Sequence, residues 1–355
     1  LLLCASSTSD IQTQLKLIAL ISFVNLAVSV LPVLVFLATL VFLDSYKLVR
    51  FRAIALALGV GCLAGGVSFL LNNGVHAAAG LEDVFYRRYG APIIEELIKS
   101  LYLIYLIRMK RVGFMVDAAV FGFAIGAGFA LVENAYYVER LQEANLLVWI
   151  IRGFGTAIMH GGATAILGII FKNVSDRAAS TTAGAFVPGF VIAVLLHSFY
   201  NHFFFGPVIS TFLIIVLLPA VMIVVFQRSE VSLRQWLRVG FDSDQELLET
   251  LTSGNLMETP VGTYLQSLQT RFNPIVVVDM ICYLRIHVEL SIEAKGILLM
   301  RQSGFELPPD PTVAEKFAEL RSLARNIGQT GKLALLPFLH TSDRELWQLH
   351  MLKVQ

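Results

Sequence analysis

Among the ionisable and amide side chains in stretches otherwise apolar enough to lie in a membrane, ten are candidates for chemistry. They are Glu95, Glu96, Lys99, Asp117, Glu133, Arg152, His160, His197, Asn201 and His202. A charge near the middle of a bilayer costs roughly 2.5–3.5 kcal/mol on insertion scales, so each needs a reason to be there. Their types suggest one. A carboxylate beside an imidazole in a low-dielectric pocket can act as a general base. A second imidazole and an amide can hold a developing oxyanion. Together these are the parts of a hydrolase that activates water.

The helices that would position them can be read from composition. The chain has 355 residues, 56% hydrophobic and 15% charged, with a mean hydropathy of +0.71. Average soluble domains are about 45–50% apolar and about 25% charged, so a soluble globular enzyme is excluded. A net charge of +1 leaves no field for nucleic acid. Cys4, Cys62 and Cys282 show neither a disulfide framework nor a zinc-knuckle spacing. Residues 1–227 hold 14 Lys/Arg and 11 Asp/Glu, whereas the shorter 228–355 holds 13 and 15. The composition break near Gln227 predicts a membrane domain over 1–227 and a water-facing domain over 228–355.

A crossing helix needs about 20 apolar residues. Seven stretches meet this: about 15–43, 53–73, 91–107, 114–138, 146–171, 184–205 and 208–226. Pro32 is expected to kink or divide the first. Basic residues gather after the first, third, fifth and seventh spans: Lys47, Arg50 and Arg52; Arg108, Lys110 and Arg111; Lys172 and Arg177; Arg228, Arg234 and Arg238. By the positive-inside rule the N-terminus lies outside and 228–355 is cytoplasmic. The predicted fold is all-α, a polytopic membrane bundle of about seven spans with a C-terminal helical domain. Leu1 is no initiator, so a leader or further segment is expected ahead of it, and Leu-Leu-Leu-Cys4 is only faintly like a lipobox. Thr312-x-x-Glu315 and Ser342-x-x-Glu345 have the form of capping boxes. Asp279, Arg285, Glu289 and Glu293 suit one face of a helix over 274–300.

With that topology, Glu95 and Glu96 lie in the first third of span three and Glu133 near the outer end of span four. His160 lies near the middle of span five, and His197 and Asn201 in the outer half of span six. Glu95 and Lys99, at i,i+4, share a face, while Glu96 points about 100° away; His197 and Asn201 share another. Blander roles compete. Glu95–Lys99 could be an ion pair that lets the helix insert, Glu133-Asn134 a headgroup cap, and His160 a core histidine. Arg152 and His202 read as interfacial anchors, and Asp117 as a helix cap or structural partner. Gly122, Gly126 and Gly161 suit close helix packing.

Glu95-Glu96-x-x-Lys99, Gly122-Phe123-Ala124 with Glu133-Asn134, His160, and His197-x-x-x-Asn201, in this order on consecutive spans, resemble the PrsW family of intramembrane proteases. That family shares a wider clan with the CAAX prenyl endopeptidases and Abi proteins. The resemblance covers about 90–205, extends to Asp44, and leaves 228–355 out. It implies cleavage of single-pass membrane proteins near the extracytoplasmic face of the cell membrane, typically an anti-sigma factor. It also implies that Glu95 activates water, with Glu96 and Glu133 as further active-site carboxylates and His160 assisting the base. His197 and Asn201 would bind the oxyanion.

The cofactor question divides the mechanism. His160, His197 and a Glu would satisfy a His₂Glu zinc site, yet there is no HExxH, and the wider clan resembles metal-free glutamate enzymes. Glutamate chemistry without a metal is the expectation. The rival function is an ion-coupled transporter or channel using the same residues, although no inverted repeat accompanies them. Expected partners are the membrane lipid and a single-pass substrate, with self-association or a cytoplasmic partner acting through 228–355.

Overall fold

The computed structural model describes residues 2–44, 46–141, 144–178, 181–305, 308, 310–339 and 342–353. Leu1 and the side chain of Cys4 lie outside the described residues. The described chain is helical throughout. In order come α1 (Leu2–Leu43), α2 (Phe51–Ala79) and α3 (Asp83–Phe85), then a π turn (Tyr86–Gly90) leading into α4 (Ala91–Arg108) and α5 (Met115–Arg140). Next, α6 (Leu146–Ile150) runs through a second π turn (Ile151–Ala157) into α7 (Ile158–Ala178), followed by α8 (Ala183–His202) and α9 (Pro207–Thr252). Last come α10 (Pro260–Ser267), α11 (Pro274–Gln302), α12 (Thr312–Leu335) and α13 (Asp343–Lys353).

Among the described residues, six helical stretches are long and apolar enough to cross a membrane: Ala19–Leu43, Phe51–Ala79, Met115–Arg140, Leu146–Ala178, Ala183–His202 and Pro207–Thr252. The expected third span is α4, an 18-residue helix carrying Glu95, Glu96, Lys99 and Arg108. Its ionisable side chains keep it out of the apolar set. Pro32 lies within one continuous α1 and does not divide it. The seventh expected span does not stop at the composition break; α9 runs on to Thr252, because no glycine–asparagine breaker arrives until Gly254-Asn255.

The chain forms two compact units. The first comprises Leu1–Asp44, Leu48–Arg108 and Met115–Gln227; the second Ser45–Lys47, Met109–Phe114 and Arg228–Gln355. In the first, α5 is the central helix, packed against α1, α2 and α7. Its side chains are buried without interruption from Val116 to Ala130, the mark of a helix surrounded on all sides. Small residues let its neighbours approach. A Cβ at Gly126 would sit 2.2 Å from the carbonyl oxygen of His160, so this glycine brings α5 against the backbone of a candidate site residue. Phe42, Phe51 and Leu70 point outward at 88%, 81% and 71% exposure, as side chains facing lipid would. Asp44 accepts the backbone N–H of Leu48 at 2.6 Å and so shapes the turn between α1 and α2.

The second unit has its own apolar core, in which Leu251, Leu265, Val277, Met280, Leu284 and Ile327 take part. The linker Met109–Phe114 belongs to it. Phe114 packs edge-on to Trp236 and Trp347 at centroid distances of 5.8 and 5.4 Å, and Lys110 pairs with Asp343 at 2.6 Å. Ser342 Oγ accepts the N–H of Glu345, but the Glu345 carboxylate turns to the Trp236 indole N–H rather than back to the cap. At α12 the cap falls to Asp310 instead of Thr312: its carboxylate accepts the Thr312 N–H at 2.8 Å. Hydrogen bonds from Thr312 hold the Asp310 carboxyl below the usual carboxylate range. On α11, Arg285 pairs with Glu289, and Glu289 and Glu293 both face Lys316.

Gly126→Ala should lower thermal stability in detergent, since overpacking a filled site costs about 1–3 kcal/mol. At Gly74 an added Cβ has nothing within 4 Å, so Gly74→Ala should leave the melting temperature unchanged or raise it. Equal behaviour of the two variants would show that the α5–α7 approach is not tight.

Candidate active site

Four helices deliver the ionisable groups of the first unit to one buried place. Two of them are preceded by a π turn: Tyr86–Gly90 before α4, which carries Glu95 and Glu96, and Ile151–Ala157 before α7, which carries His160. A π turn adds a residue to the helical repeat and rotates the helix beyond it, and such turns recur at functional sites.

Glu96 and Lys99 occupy the centre. Both are fully buried, and Lys99 Nζ lies 2.5 Å from Glu96 Oε1. Lysine thus pairs with Glu96 at i,i+3 and not with Glu95 at i,i+4; both spacings place side chains on neighbouring turns. Glu96 Oε1 also faces His197 Nδ1 at 2.9 Å, and its Oε2 accepts from Thr164 at 3.3 Å. Lys99 Nζ reaches His160 Nδ1 at 3.2 Å and lies 4.7 Å from the Phe129 ring centroid.

Two arms extend from this centre. On one, His160 Nε2 lies 2.8 Å from Glu133 Oε2, and Glu133 Oε1 lies 3.3 Å from the Arg152 guanidinium. Arg152 also donates to Asn134 Oδ1 at 2.9 Å and stacks 3.9 Å from the Tyr137 ring centroid. Asn134 in turn donates to the Ser29 carbonyl at 2.7 Å. On the other arm, His197 Nε2 stands 3.7 Å from Glu95 Oε2, and Glu95 Oε1 accepts from Asn72 Nδ2 at 3.0 Å. The two imidazoles meet edge to face, 4.7 Å apart at 90°.

Glu95, Glu96, Glu133, His160 and His197 therefore converge. Asn201 is placed differently, with its Nδ2 donating to the Arg87 carbonyl at 3.0 Å. His202 bonds the Tyr89 hydroxyl, and Asp117 is buried in the first turn of α5. Arg152, read from sequence as an interfacial anchor, is the counter-ion of Glu133. Asn72 escaped sequence reasoning, although Asn72-Asn73 is a pair of amides inside an apolar run and was a readable signal. A cavity of about 400 Å³ opens beside the cluster, lined by Glu95 and Glu133 together with Gly65, Asn72, Tyr86 and Tyr136.

Hydrogen-bond directions are set by donor inventory. The Lys99 ammonium only donates, so His160 Nδ1 accepts and Nε2 carries the proton towards Glu133. The Glu96 carboxylate only accepts, so His197 Nδ1 carries a proton, and its Nε2 faces Glu95. Ligand atoms of Glu95, His160 and His197 all lie within 4.8 Å of one another. As bonded here, however, both nitrogens of His160 are committed, and the trio offers a cation the lone pairs of His197 and Glu95 alone. A third ligand would require His160 to release Lys99 or Glu133.

The PrsW-protease family model, described as PrsW family intramembrane metalloprotease, matches residues 49–226. No curated protein matches the chain, and no solved structure does.

Lys99→Ala leaves Glu96 buried without its cation and should destabilise the protein by about 3–5 kcal/mol. Combining Lys99→Met with Glu96→Gln removes both charges and should recover much of that loss. Thermal unfolding in detergent measures both; a Lys99→Ala protein as stable as the wild type would refute the central role of the pair.

Proposed function

The chain belongs to the PrsW family of intramembrane proteases, and from this premise we propose a glutamate-type endopeptidase that cleaves single-pass membrane proteins near the extracytoplasmic face. The observation that carries the reading is the position of Glu95. Of the clustered carboxylates, Glu95 and Glu133 line the cavity, but Glu133 has both oxygens engaged, by His160 and Arg152. Glu95 has one oxygen held by Asn72 and the other facing His197 across 3.7 Å. That separation is too long for a direct hydrogen bond, and a water beside the pair, on the cavity side, would be within reach of both atoms.

In this reading Glu95 Oε2 takes a proton from water as the oxygen adds to the scissile carbonyl. The resulting carboxylic acid returns that proton to the amide nitrogen as the C–N bond breaks, leaving one new carboxyl and one new amino terminus. Three carboxylates face two fixed cations, Lys99 and Arg152, so the cluster has a place for the transferred proton. Glu96 holds His197, and Glu133 holds His160, so that neither ring turns during the reaction. The family description names a metalloprotease, but the bonded state of His160 fits a three-ligand cation poorly, and no step here is routed through a metal.

Membrane placement is supported by the six apolar helices. The loop charges favour an N-terminus outside and 228–355 in the cytoplasm. An anti-sigma factor is the substrate class that the family suggests.

Glu95→Gln should fold and insert normally yet lose cleavage by about 10²–10⁴-fold. New protein termini compared between membranes carrying the wild type and this variant should map just outside single-pass anchors, and they should vanish in the variant. Retained cleavage would move the base to another carboxylate. Exhaustive chelation should leave activity intact; loss on chelation with recovery on zinc would overturn the metal-free reading.

A further inference from the structure

The hydrogen bond that orients Glu95 does not end at Asn72. The carboxylate only accepts, so Asn72 must present Nδ2 to it, and this turns Oδ1 the other way. There Oδ1 accepts the Tyr86 hydroxyl at 2.9 Å. The Tyr86 ring is itself fixed. It is 5% exposed, packs on His76 with centroids 4.7 Å apart, and fills the space above Gly90, where a Cβ would lie 2.7 Å from the ring.

Tyr86 opens the π turn Tyr86–Gly90, and α8 grips this turn from the side. Asn201 Nδ2 donates to the Arg87 carbonyl at 3.0 Å, Ser198 Oγ donates to the Arg88 carbonyl at 2.6 Å, and His202 bonds the Tyr89 hydroxyl at 3.0 Å. The helix that presents His197 to the carboxylates thus also holds, one turn further on, the segment that aims the other side of Glu95.

We propose that Asn72, Tyr86 and Asn201 are positioning residues for the Glu95 carboxylate, acting in series from α8 through the π turn and α2. Asn201 serves this relay and not the oxyanion. The inference rests on the protease reading and deepens it at the same site. Misplacement of a reacting group by about 1 Å can cost about a hundredfold in rate, so loss of any link should lower kcat by about ten- to a hundredfold, with KM changed by no more than about twofold.

The test is a pair of double-mutant cycles on kcat. Full-length protein would be reconstituted in phosphatidylethanolamine/phosphatidylglycerol vesicles with a single-pass protein identified by the termini comparison. Tyr86→Phe removes one oxygen and keeps the ring, so it should melt like the wild type yet lose kcat. In an Asn72→Ala background neither Tyr86→Phe nor Asn201→Ala should cost anything further, as expected of residues that act as one unit. If Asn201→Ala multiplies the loss in both backgrounds, it contacts the reacting atoms directly and the relay is wrong. A rise in KM with kcat unchanged would make these residues substrate contacts and overturn the inference equally. Should Asn201→Ala misfold, the Tyr86–Asn72 cycle alone decides. Absence of cleavage by the wild type overturns the protease reading and this inference together, whereas cleavage with independent effects overturns the inference alone.

Discussion

The fully buried Glu96–Lys99 pair is the constraint on which the rest of the first unit depends. Two opposite charges with no access to solvent are stable only if every remaining lone pair and proton finds a partner. Glu96 therefore needs His197 and Thr164, and Lys99 needs His160 and the Phe129 ring. These four partners come from three other helices, so α5, α7 and α8 are tied to α4 by contacts that admit little slippage. The central pair has no opening to the cavity. It fixes the imidazoles of His160 and His197 beside the two carboxylates that line the cavity.

Backbone devices make that convergence geometrically possible. Glycine at 126 lets α5 touch the main chain of α7 beside His160, and π turns stand ahead of both α4 and α7. A regular α-helix advances 100° per residue, so an added residue resets which face points inward. Residues near a site in sequence, such as Tyr86, can then reach across to α2 while Glu95, nine positions on, faces the same amide. This departure from regularity also frees carbonyls that need donors. The side chains of Ser198 and Asn201 supply them at Arg88 and Arg87.

Much of this was legible in the sequence. Hydropathy located the six helices apolar enough to cross a membrane, because about 20 apolar residues have few other uses, and ionisable residues in three of them and in the shorter α4 marked Glu133, His160, His197, Glu95 and Glu96. What pairs with what was not legible. The i,i+4 spacing pointed Lys99 to Glu95, and only the packing of His160 and His197 against α4 selects Glu96. Arg152 lies near an expected membrane boundary, where an anchor and a counter-ion look alike in one dimension. Asn72 and Tyr86 act through contacts between α2 and a π turn, and a π turn has no periodic signature in a short segment. At the C-terminal end, the Thr312 pattern pointed to the right helix start but the wrong cap, since Asp310 two residues earlier competes for the same N–H.

The linker Met109–Phe114 leaves the helix that carries Glu95 and Glu96 and is built into the second unit, with Phe114 between Trp236 and Trp347 and Lys110 on Asp343. The second unit is therefore not a cassette that begins at residue 228. A tail severed there would present an unfilled aromatic seat and an orphaned aspartate. A foreign tail grafted onto the membrane portion would meet a hexapeptide shaped for another partner. Modular exchange at this junction would have to carry two distant pieces of the chain together, even though the tail supplies none of the clustered side chains.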